Sequence, residues 1–451
     1  MKYFLNAPYW VKCFAINIYG FFLYKRRFNT VYKSFKNKID NNLQKTKREI
    51  LSEQFVLLKN NLIFCYEKIP YYKHLFEKVE FNPYTFSSEE EIKKIPYLTK
   101  DIIRDNYNDL INPSIPKSKY ITHYTSGSTG ERLEFLIPKK LRYSLNAAFL
   151  YRFYSFLGIR EGDRRATIGG RRFTNTAPFW IYNYFENQLL MSSHHLNDQN
   201  KEKYLKKLNE FKPVFIQGHP SSILVLAKFI KDFRVKLKFN LKGIFTTGET
   251  LIEDDRKIIE TSFNTIVLQQ YGSGENAFSA QESPTKKGYL LNYEHGYVEL
   301  IGKDKLKQVV VTSYLNDVMP FVRYKIGDYA IASNCYETKK YPLPVKFKEI
   351  VGRIDDIIFS SKGSVIVPVT VRMLLKPFLF SGTNYQLIQD NSIRFTLNLV
   401  DIDYRIDVDS LKSELIKLLG EEVKISVKYK KHLLTKGGKI RNVINNYKAL
   451  S

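Results

Sequence analysis

The sequence predicts a two-part α/β protein: a large N-terminal domain with mainly parallel sheets flanked by helices, then a small α+β domain. Three observations carry this. The chain has 451 residues, more than one simple core accommodates. From about Lys119, short apolar runs alternate with helical stretches, the pattern of strand–helix–strand units on a parallel sheet. After Arg353 the alternation restarts on a smaller scale, over about 100 residues, enough for a compact unit of its own.

Taken in order, residues 1–60 read as a basic, aromatic-rich helical extension. Pro8 to Tyr24 is mostly apolar with Lys12 inside, and Lys25, Arg26 and Arg27 follow. A signal peptide has its charges before the apolar run and a small-residue cleavage site after it; neither is present. The run is short for a membrane span of about 20 residues. Residues 1–50 hold 11 Lys/Arg against 2 Asp/Glu. Such a segment suits attachment to an anionic membrane surface through residues 1–30, or a helix packed on the body of the protein. Residues 30–80 are helical in pattern, broken at Ile69-Pro70-Tyr71-Tyr72 and again at Ile95 to Lys100, where Thr99 is placed to cap a helix from Asp101. Residues 61–353 are assigned to the large domain. Within it, Pro213–Gln217, Gly243–Thr247 and Ile266–Gln270 read as buried strands, Ser221–Phe233 as a helix, and residues 289–333 as shorter antiparallel strands. In the small domain, 354–451, strands at 385–390 and 392–400 precede a helix at 409–419 and a strand at 422–429.

Hydrophobic residues make up 44% of the chain, which excludes a disordered protein. The formal net charge of +26 favours anionic partners: nucleotides, nucleic acid or an anionic membrane face. No recognisable nucleic-acid module accompanies it, so no specific nucleic-acid partner is expected. Cys13, Cys65 and Cys335 are odd in number and far apart. No disulfide framework or zinc ligand set can be read from them, so a cytoplasmic location is expected, free or peripheral on the inner face of the membrane.

The strongest local motif is Tyr124-Thr125-Ser126-Gly127-Ser128-Thr129-Gly130. Two glycines allow close backbone approach and four Ser/Thr hydroxyls add donors, so the loop can wrap a polyphosphate. No Gly-Lys-Ser/Thr follows, so it is not a Walker loop. Further motifs follow in order. Thr246-Thr247-Gly248-Glu249-Thr250 ends a strand, where a nucleotide base can sit at the carboxyl edge of a sheet. Gln270-Tyr271-Gly272-Ser273-Gly274-Glu275 offers an aromatic face, a hydroxyl and a hard oxygen ligand for magnesium. Arg323-Tyr324-Lys325-Ile326-Gly327-Asp328 places a carboxylate after a turn, able to accept from a ribose diol. Gly352-Arg353-Ile354-Asp355-Asp356 stands at the domain junction, and Thr435-Lys436-Gly437-Gly438-Lys439-Ile440-Arg441 near the C-terminus carries a glycine-flanked lysine. Singly, Tyr271 reads equally as a core tyrosine, Arg353/Asp355 as a salt bridge and Lys439 as a solvated lysine. Six motifs in one order, across most of the chain, argue against coincidence.

This ordered set resembles the adenylate-forming superfamily of acyl-CoA synthetases, adenylation domains and luciferases. Ile95–Lys100, Gly218-His219-Pro220-Ser221-Ser222 and Asn316 through Tyr324 are similar in particular to the branch of phenylacetate-CoA ligases and CapK-type capsule-biosynthesis proteins. The resemblance runs from about residue 70 to 446. It implies an ATP- and Mg²⁺-dependent ligase that activates a small-molecule carboxylate as acyl-AMP and passes the acyl group to an acceptor thiol, amine or hydroxyl, with coenzyme A one candidate. It implies that Ser126, Gly127, Ser128, Thr129 and Gly130 hold the ATP phosphates and that Ser273 touches the α-phosphate. Gly248, Glu249, Thr250 and Tyr271 would line the adenine pocket, Asp328 and Arg353 bind ribose, and Glu275 hold Mg²⁺. Asp355 would be the hinge of a mobile small domain and Lys439 the catalytic lysine. The loop continues Glu131-Arg132-Leu133 without the Pro-Lys of the wider superfamily, and the first 60 residues match less well. An acid pocket is expected between Ala166–Trp180, the Gly218–Ser222 loop and the 270s, drawing on Arg171, Arg172, His219 and Gly272. Other acceptor chemistries stay open: direct transfer to a sugar amine or hydroxyl without CoA, or transfer of AMP itself. A non-catalytic membrane-surface scaffold is the third reading; Lys439, Glu275 and Asp328 all being present counts against it.

Overall fold

The computed structural model describes residues 2–125, 133–170, 173–197, 199–249, 251–302, 305–333, 343–353, 357–366, 368–378, 384–400, 406–430, 433, 435–436, 439–440 and 442–447. Five helices open the chain: α1 (Lys2–Asn6), α2 (Tyr9–Arg27), α3 (Thr30–Asn41), α4 (Lys47–Lys68) and α5 (Pro70–Lys78). α4 begins at a capping box in which Thr46 and Glu49 satisfy each other's backbone N–H groups. It runs unbroken through residue 60, and Leu58 and Leu62 enter the same core as Ala277–Phe347. The expected boundary at residue 60 therefore falls inside one helix, and the first sixty residues pack as part of the large domain. α6 (Lys100–Asp105) is capped by Thr99, whose hydroxyl accepts from Ile102 N–H as the sequence predicts.

A hairpin of β1 (Tyr120–Tyr124) and β2 (Glu134–Pro138) leads to α7 (Asn146–Ser155). Then come β3 (Arg165–Gly169), β4 (Trp180–Asn183), β5 (Gln188–Ser192), α8 (Lys201–Phe211), β6 (Phe215–Gly218), α9 (Pro220–Asp232), β7 (Gly243–Thr246), α10 (Glu253–Phe263) and β8 (Val267–Gly272). β8, β7, β6, β3 and β5 lie side by side, all parallel. Their residues are apolar runs covered by helices, as parallel strands require. α9 starts with Pro220 at its first turn and buries Ile223, Leu224, Leu226, Ala227 and Ile230 on one face.

The sheet does not stop there. β9 (Ser279–Glu282), β10 (Tyr289–Leu291), β11 (Gly296–Ile301), β12 (Leu306–Ser313), β13 (Tyr324–Ala332) and β14 (Val345–Arg353) extend it antiparallel from β8 into one twelve-stranded mixed sheet, ordered β11-β12-β13-β14-β10-β9-β8-β7-β6-β3-β5-β4. β8 is the seam, parallel to β7 on one side and antiparallel to β9 on the other.

The edge strand β4 is covered by α2. Tyr9 Oη donates to Trp180 O (3.0 Å), Asn17 Nδ2 donates to Tyr182 O (2.9 Å), and Tyr184 N–H donates back to Asn17 Oδ1 (2.9 Å). Open edge groups, a site for unwanted strand pairing, are thereby satisfied. Gly20 makes the approach feasible, because a Cβ there would collide with the Asn183 side chain. Arg27 pairs with Glu186 at 2.6 Å. The body-packed reading of this segment is thus what the structure shows for one face of the helix.

The last elements are β15 (Ile358–Phe359), β16 (Val365–Ile366), α11 (Pro368–Leu375), β17 (Asn384–Gln389), β18 (Arg394–Val400), α12 (Val408–Leu419), β19 (Lys424–Tyr429), β20 (Thr435–Lys436), β21 (Lys439–Ile440) and β22 (Val443–Asn445). β19-β18-β17-β22 form a separate four-stranded sheet with its own core around Leu387, Leu397, Leu411 and Leu415. Ile357 and Phe359 pack with Val351 against Tyr329 and Ile331 of β13, and Arg372 on α11 pairs with Asp255 on α10 at 2.7 Å. These contacts join the two sheets.

Candidate active site

The parallel strands β6, β7 and β8 end in register, and their carboxyl ends carry the predicted residues. Gly218 pairs with Thr246, and Thr246 with Gln269. Gly218 sits so close to β3 that a Cβ would lie 2.5 Å from the Ile168 carbonyl oxygen. His219 follows, its Nδ1 3.1 Å from Thr247 O. Glu249 accepts from Ser221 N–H at the start of α9 (3.1 Å), and its own carbonyl accepts from Gln269 Nε2 (2.8 Å). The loop after β7, with Gly248 in it, is therefore stitched to both neighbouring strands. Crevices outside the carboxyl ends of parallel strands are where α/β sheets bind nucleotides.

From the end of β8, Tyr271 Oη donates to Asp328 Oδ2 on β13 at 2.9 Å. Its ring is boxed by Phe278 and Phe347, at 5.2 and 5.5 Å between centroids. Burial first, and then the charge and hydrogen bond of Asp328, raise the Tyr271 phenol well above its ordinary range, so it remains a donor. Arg353 is the register partner of Asp328 across β13 and β14.

Gly272 and Gly274 are exposed. Ser273 O and Oγ accept from Asn276 N–H and Ala277 N–H, closing the turn. Glu275 is buried and accepts from Tyr324 Oη at 2.9 Å. Two residues that sequence reasoning missed anchor this turn through Asn276, whose φ is +54°. Asn146 Nδ2 donates to Asn276 Oδ1 (2.7 Å). His295 Nε2 lies 2.9 Å from Asn276 O and its Nδ1 2.9 Å from Ser279 Oγ. With a carbonyl facing Nε2, that nitrogen carries the proton. Burial lowers the His295 pKa to about 4, so it is a neutral donor. The signal was not local: Asn146 and His295 are far from Asn276 in sequence.

The stretch Asn316–Tyr324 works as a frame. Asn316 Nδ2 donates to Leu136 O on β2 (2.9 Å), while Asn316 Oδ1 accepts from Val318 and Met319 N–H. Buried Tyr72 donates to Pro320 O (3.0 Å) and accepts from Val322 N–H (2.9 Å). Arg323, in the left-handed region at φ +51°, forks onto Glu299 and donates to Ile95 O at 2.6 Å. Leu98 and Tyr324 form a parallel bridge. Three segments singled out from sequence (Ile69–Tyr72, Ile95–Lys100 and Asn316–Tyr324) are thus one assembly, touching both Glu275 and the hairpin.

Residues 126–132 lie outside the described residues, and with them Ser126, Gly127, Ser128, Thr129 and Gly130. The hairpin neck is described. Thr125 N–H donates to Leu133 O (2.9 Å) and Leu133 N–H to Thr125 Oγ1 (3.1 Å). His123 on β1 has its Nδ1 buried without a hydrogen-bond partner among the described residues, and burial, then the Arg142 charge, lowers its pKa. Thr250, Arg171, Arg172 and Asp355 are also outside the described residues, as are the side chains of Arg353 and Lys439. Lys439 lies on β21, paired with Lys436 of β20. In the expected acid pocket, His219 faces Gly170, its Nε2 4.0 Å from where a Cβ there would stand. His194 Nε2 is 2.8 Å from Gly170 O.

Protein CapK of Staphylococcus aureus is 31% identical to this chain over 367 residues, 79% of this chain and 81% of that protein. The chain belongs to the CapK and phenylacetate-CoA ligase branch of the adenylate-forming superfamily. A phenylacetate-coenzyme A ligase of Pseudomonas putida is 26% identical over 339 residues, 70% of this chain and 73% of that enzyme. Among solved structures, 2-hydroxyisobutyryl-CoA ligase in its postadenylation state superposes with a TM-score of 0.66 at 18% identity, covering 89% of this chain and 91% of that one. This shows the same fold. No family model matches. With its phenylacetate-CoA ligase relatives, this chain is an AMP-forming, ATP-binding ligase. Of the expected site residues, Tyr271 and Asp328 are bonded to each other, while Glu249 is tied to Ser221 and Gln269 and Glu275 to Tyr324.

Proposed function

We propose that the ligase binds ATP in the crevice at the carboxyl ends of β6, β7 and β8, activates a small carboxylic acid as its acyl-adenylate, and transfers the acyl group to a thiol, with coenzyme A the acceptor. The observation that carries the site assignment is the Tyr271–Asp328 bond. It joins the residue assigned to the base and the residue assigned to the ribose, from the parallel and antiparallel halves of the sheet. Gly248 and Glu249 line the adenine side with Thr250. Asp328 and Arg353 hold the ribose diol. Residues 126–130 and Ser273 hold the phosphates.

Glu275 fits a magnesium site: it is one hard carboxylate held by the same frame that anchors β2, and this ion usually takes one or two protein carboxylates plus phosphate oxygens. When bound, Mg²⁺ neutralises charge on the triphosphate and on the leaving pyrophosphate. The protein's own task is positioning. The acid's oxygen attacks the α-phosphorus in line, the bond to the pyrophosphate oxygen breaks, and acyl-AMP remains. Lys439, assigned to the small domain, places an ammonium on the developing negative charge. Rotation at Asp355 then withdraws it and admits the acceptor.

A second reading rests on the CapK relative. The acyl group goes directly to a sugar amine or hydroxyl, in capsule or surface polysaccharide biosynthesis. Carboxylate-dependent ATP–pyrophosphate exchange, run with aromatic, fatty, hydroxy, amino and uronic acids, tests the first half-reaction. One acid class is expected to support exchange, and Lys439→Ala is expected to abolish it while ATP binding persists. Exchange by that variant at the wild-type rate would refute the assignment. CoA or an amino sugar added to the active acid then separates the two acceptors.

A further inference from the structure

α2 has two apolar faces, and only one packs against the body among the described residues. Its inner face, with Cys13, Ile16, Gly20 and Leu23, packs on β4 and its neighbours. Opposite it, four large apolar side chains follow at every fourth residue. Trp10 is 72% exposed, Phe14 65%, Ile18 43% and Phe22 55%. That spacing makes one continuous stripe on a helix. Exposed Tyr184 and Phe185 continue it on the body, with Phe185 5.1 Å from the Phe21 ring. Monomeric soluble surfaces rarely carry so contiguous an apolar patch without a partner.

The geometry points to an anionic lipid leaflet as that partner: α2 lies flat on the bilayer, stripe inward, and holds the ligase at the membrane surface. Charge selects this occupant. Residues 1–39 contain no Asp or Glu. Exposed Lys25 and Arg26 end the helix beside the stripe, and Lys25 Nζ sits 4.3 Å from the Phe21 ring centroid. A second copy docking by the same face would oppose two such basic segments, whereas anionic headgroups neutralise them. Trp, Tyr and Phe above flanking Lys/Arg are the composition of an interfacial helix. Among the described residues no helix is long and apolar enough to cross a membrane, so the helix lies on the leaflet. This inference is independent of the nucleotide-site assignment.

The full-length protein is sedimented with phosphatidylglycerol-containing vesicles and with pure phosphatidylcholine vesicles. Binding is expected to the anionic vesicles, weakened at least about tenfold in the Trp10→Ser/Phe14→Ser/Phe22→Ser variant, whose changes remove apolar area from the outer face only. Lys25→Gln/Arg26→Gln is expected to lower the anionic preference. The chain has two tryptophans, so Trp180→Phe leaves Trp10 as sole reporter, and its emission shifts blue on adding anionic vesicles. The wild-type melting temperature in the serine variant shows that it folds. Equal vesicle binding by wild type and the folded serine variant would overturn the proposal. So would an unshifted Trp10, or absence of vesicle binding with a self-association that the serine variant abolishes.

Discussion

Changing Tyr271 to Phe removes one hydroxyl and keeps the ring between Phe278 and Phe347. The lost bond is the 2.9 Å donation to Asp328 Oδ2. Its acceptor is a carboxylate, and hydrogen bonds to charged groups contribute about 1.5–3 kcal/mol. Asp328 is assigned to the ribose diol, so the loss falls on nucleotide affinity as the carboxylate leaves its bound orientation. At about 1.4 kcal/mol per factor of ten, the dissociation constant for ATP is expected to rise about ten- to a hundredfold. Titration calorimetry with a nonhydrolysable ATP analogue measures this without knowing the acid. The phenol is raised far above its ordinary value, so the wild-type affinity shows no step from Tyr271 across neutral and mildly alkaline pH. Unchanged affinity in a folded Tyr271→Phe protein would refute the role given to the pair.

Arg152 is fully buried, forked onto Glu294 with two contacts of 2.8 Å and bonded to Ile39 O at 3.0 Å. Arg152→Ala strands a buried carboxylate, so a loss of about 3–5 kcal/mol is expected in denaturant unfolding; a change within 1 kcal/mol by that assay, about the size of a surface substitution, would argue against the network. His295 gives a pH signature. Its folded pKa, about 4, lies below the ordinary 6.5, so the unfolded state binds the extra proton. Its contribution is full above pH 6.5 and is lost as pH falls toward 4, about 3 kcal/mol in all. His295→Gln is expected to flatten that part of the stability profile in urea titrations at stepped pH, and to impair pyrophosphate exchange through the Glu275 turn.

The parallel core was legible in the sequence because such strands are short apolar runs bounded by polar turns. Phe215–Gly218, Gly243–Thr246 and Val267–Gly272 stand within two residues of their expected places. Local capping was legible too, as Thr99 shows. What eluded sequence reasoning depended on partners distant along the chain. The Asn146–Asn276–His295 anchor joins three elements, and no spacing announces it. Residue 60, the expected boundary, lies inside α4, because a change of composition does not interrupt helix propagation once a capped helix is under way. The apolar run of α2 was visible, but not that its two faces would meet different surroundings, since docking depends on the β4 edge and on Gly20.

The frame around Asn316–Tyr324 constrains how this enzyme can be re-engineered. One end holds β2, and so the neck of the glycine-rich hairpin; the other holds Glu275. Tyr72 and the Ile95–Leu98 segment are wired between them. A glycine-rich hairpin or Glu275 turn grafted from a distant ligase would arrive without its mounts. Swaps that carry residues 69–72, 95–100 and 316–324 together keep the parts aligned, so the smallest exchangeable module of this catalytic half is discontinuous in sequence.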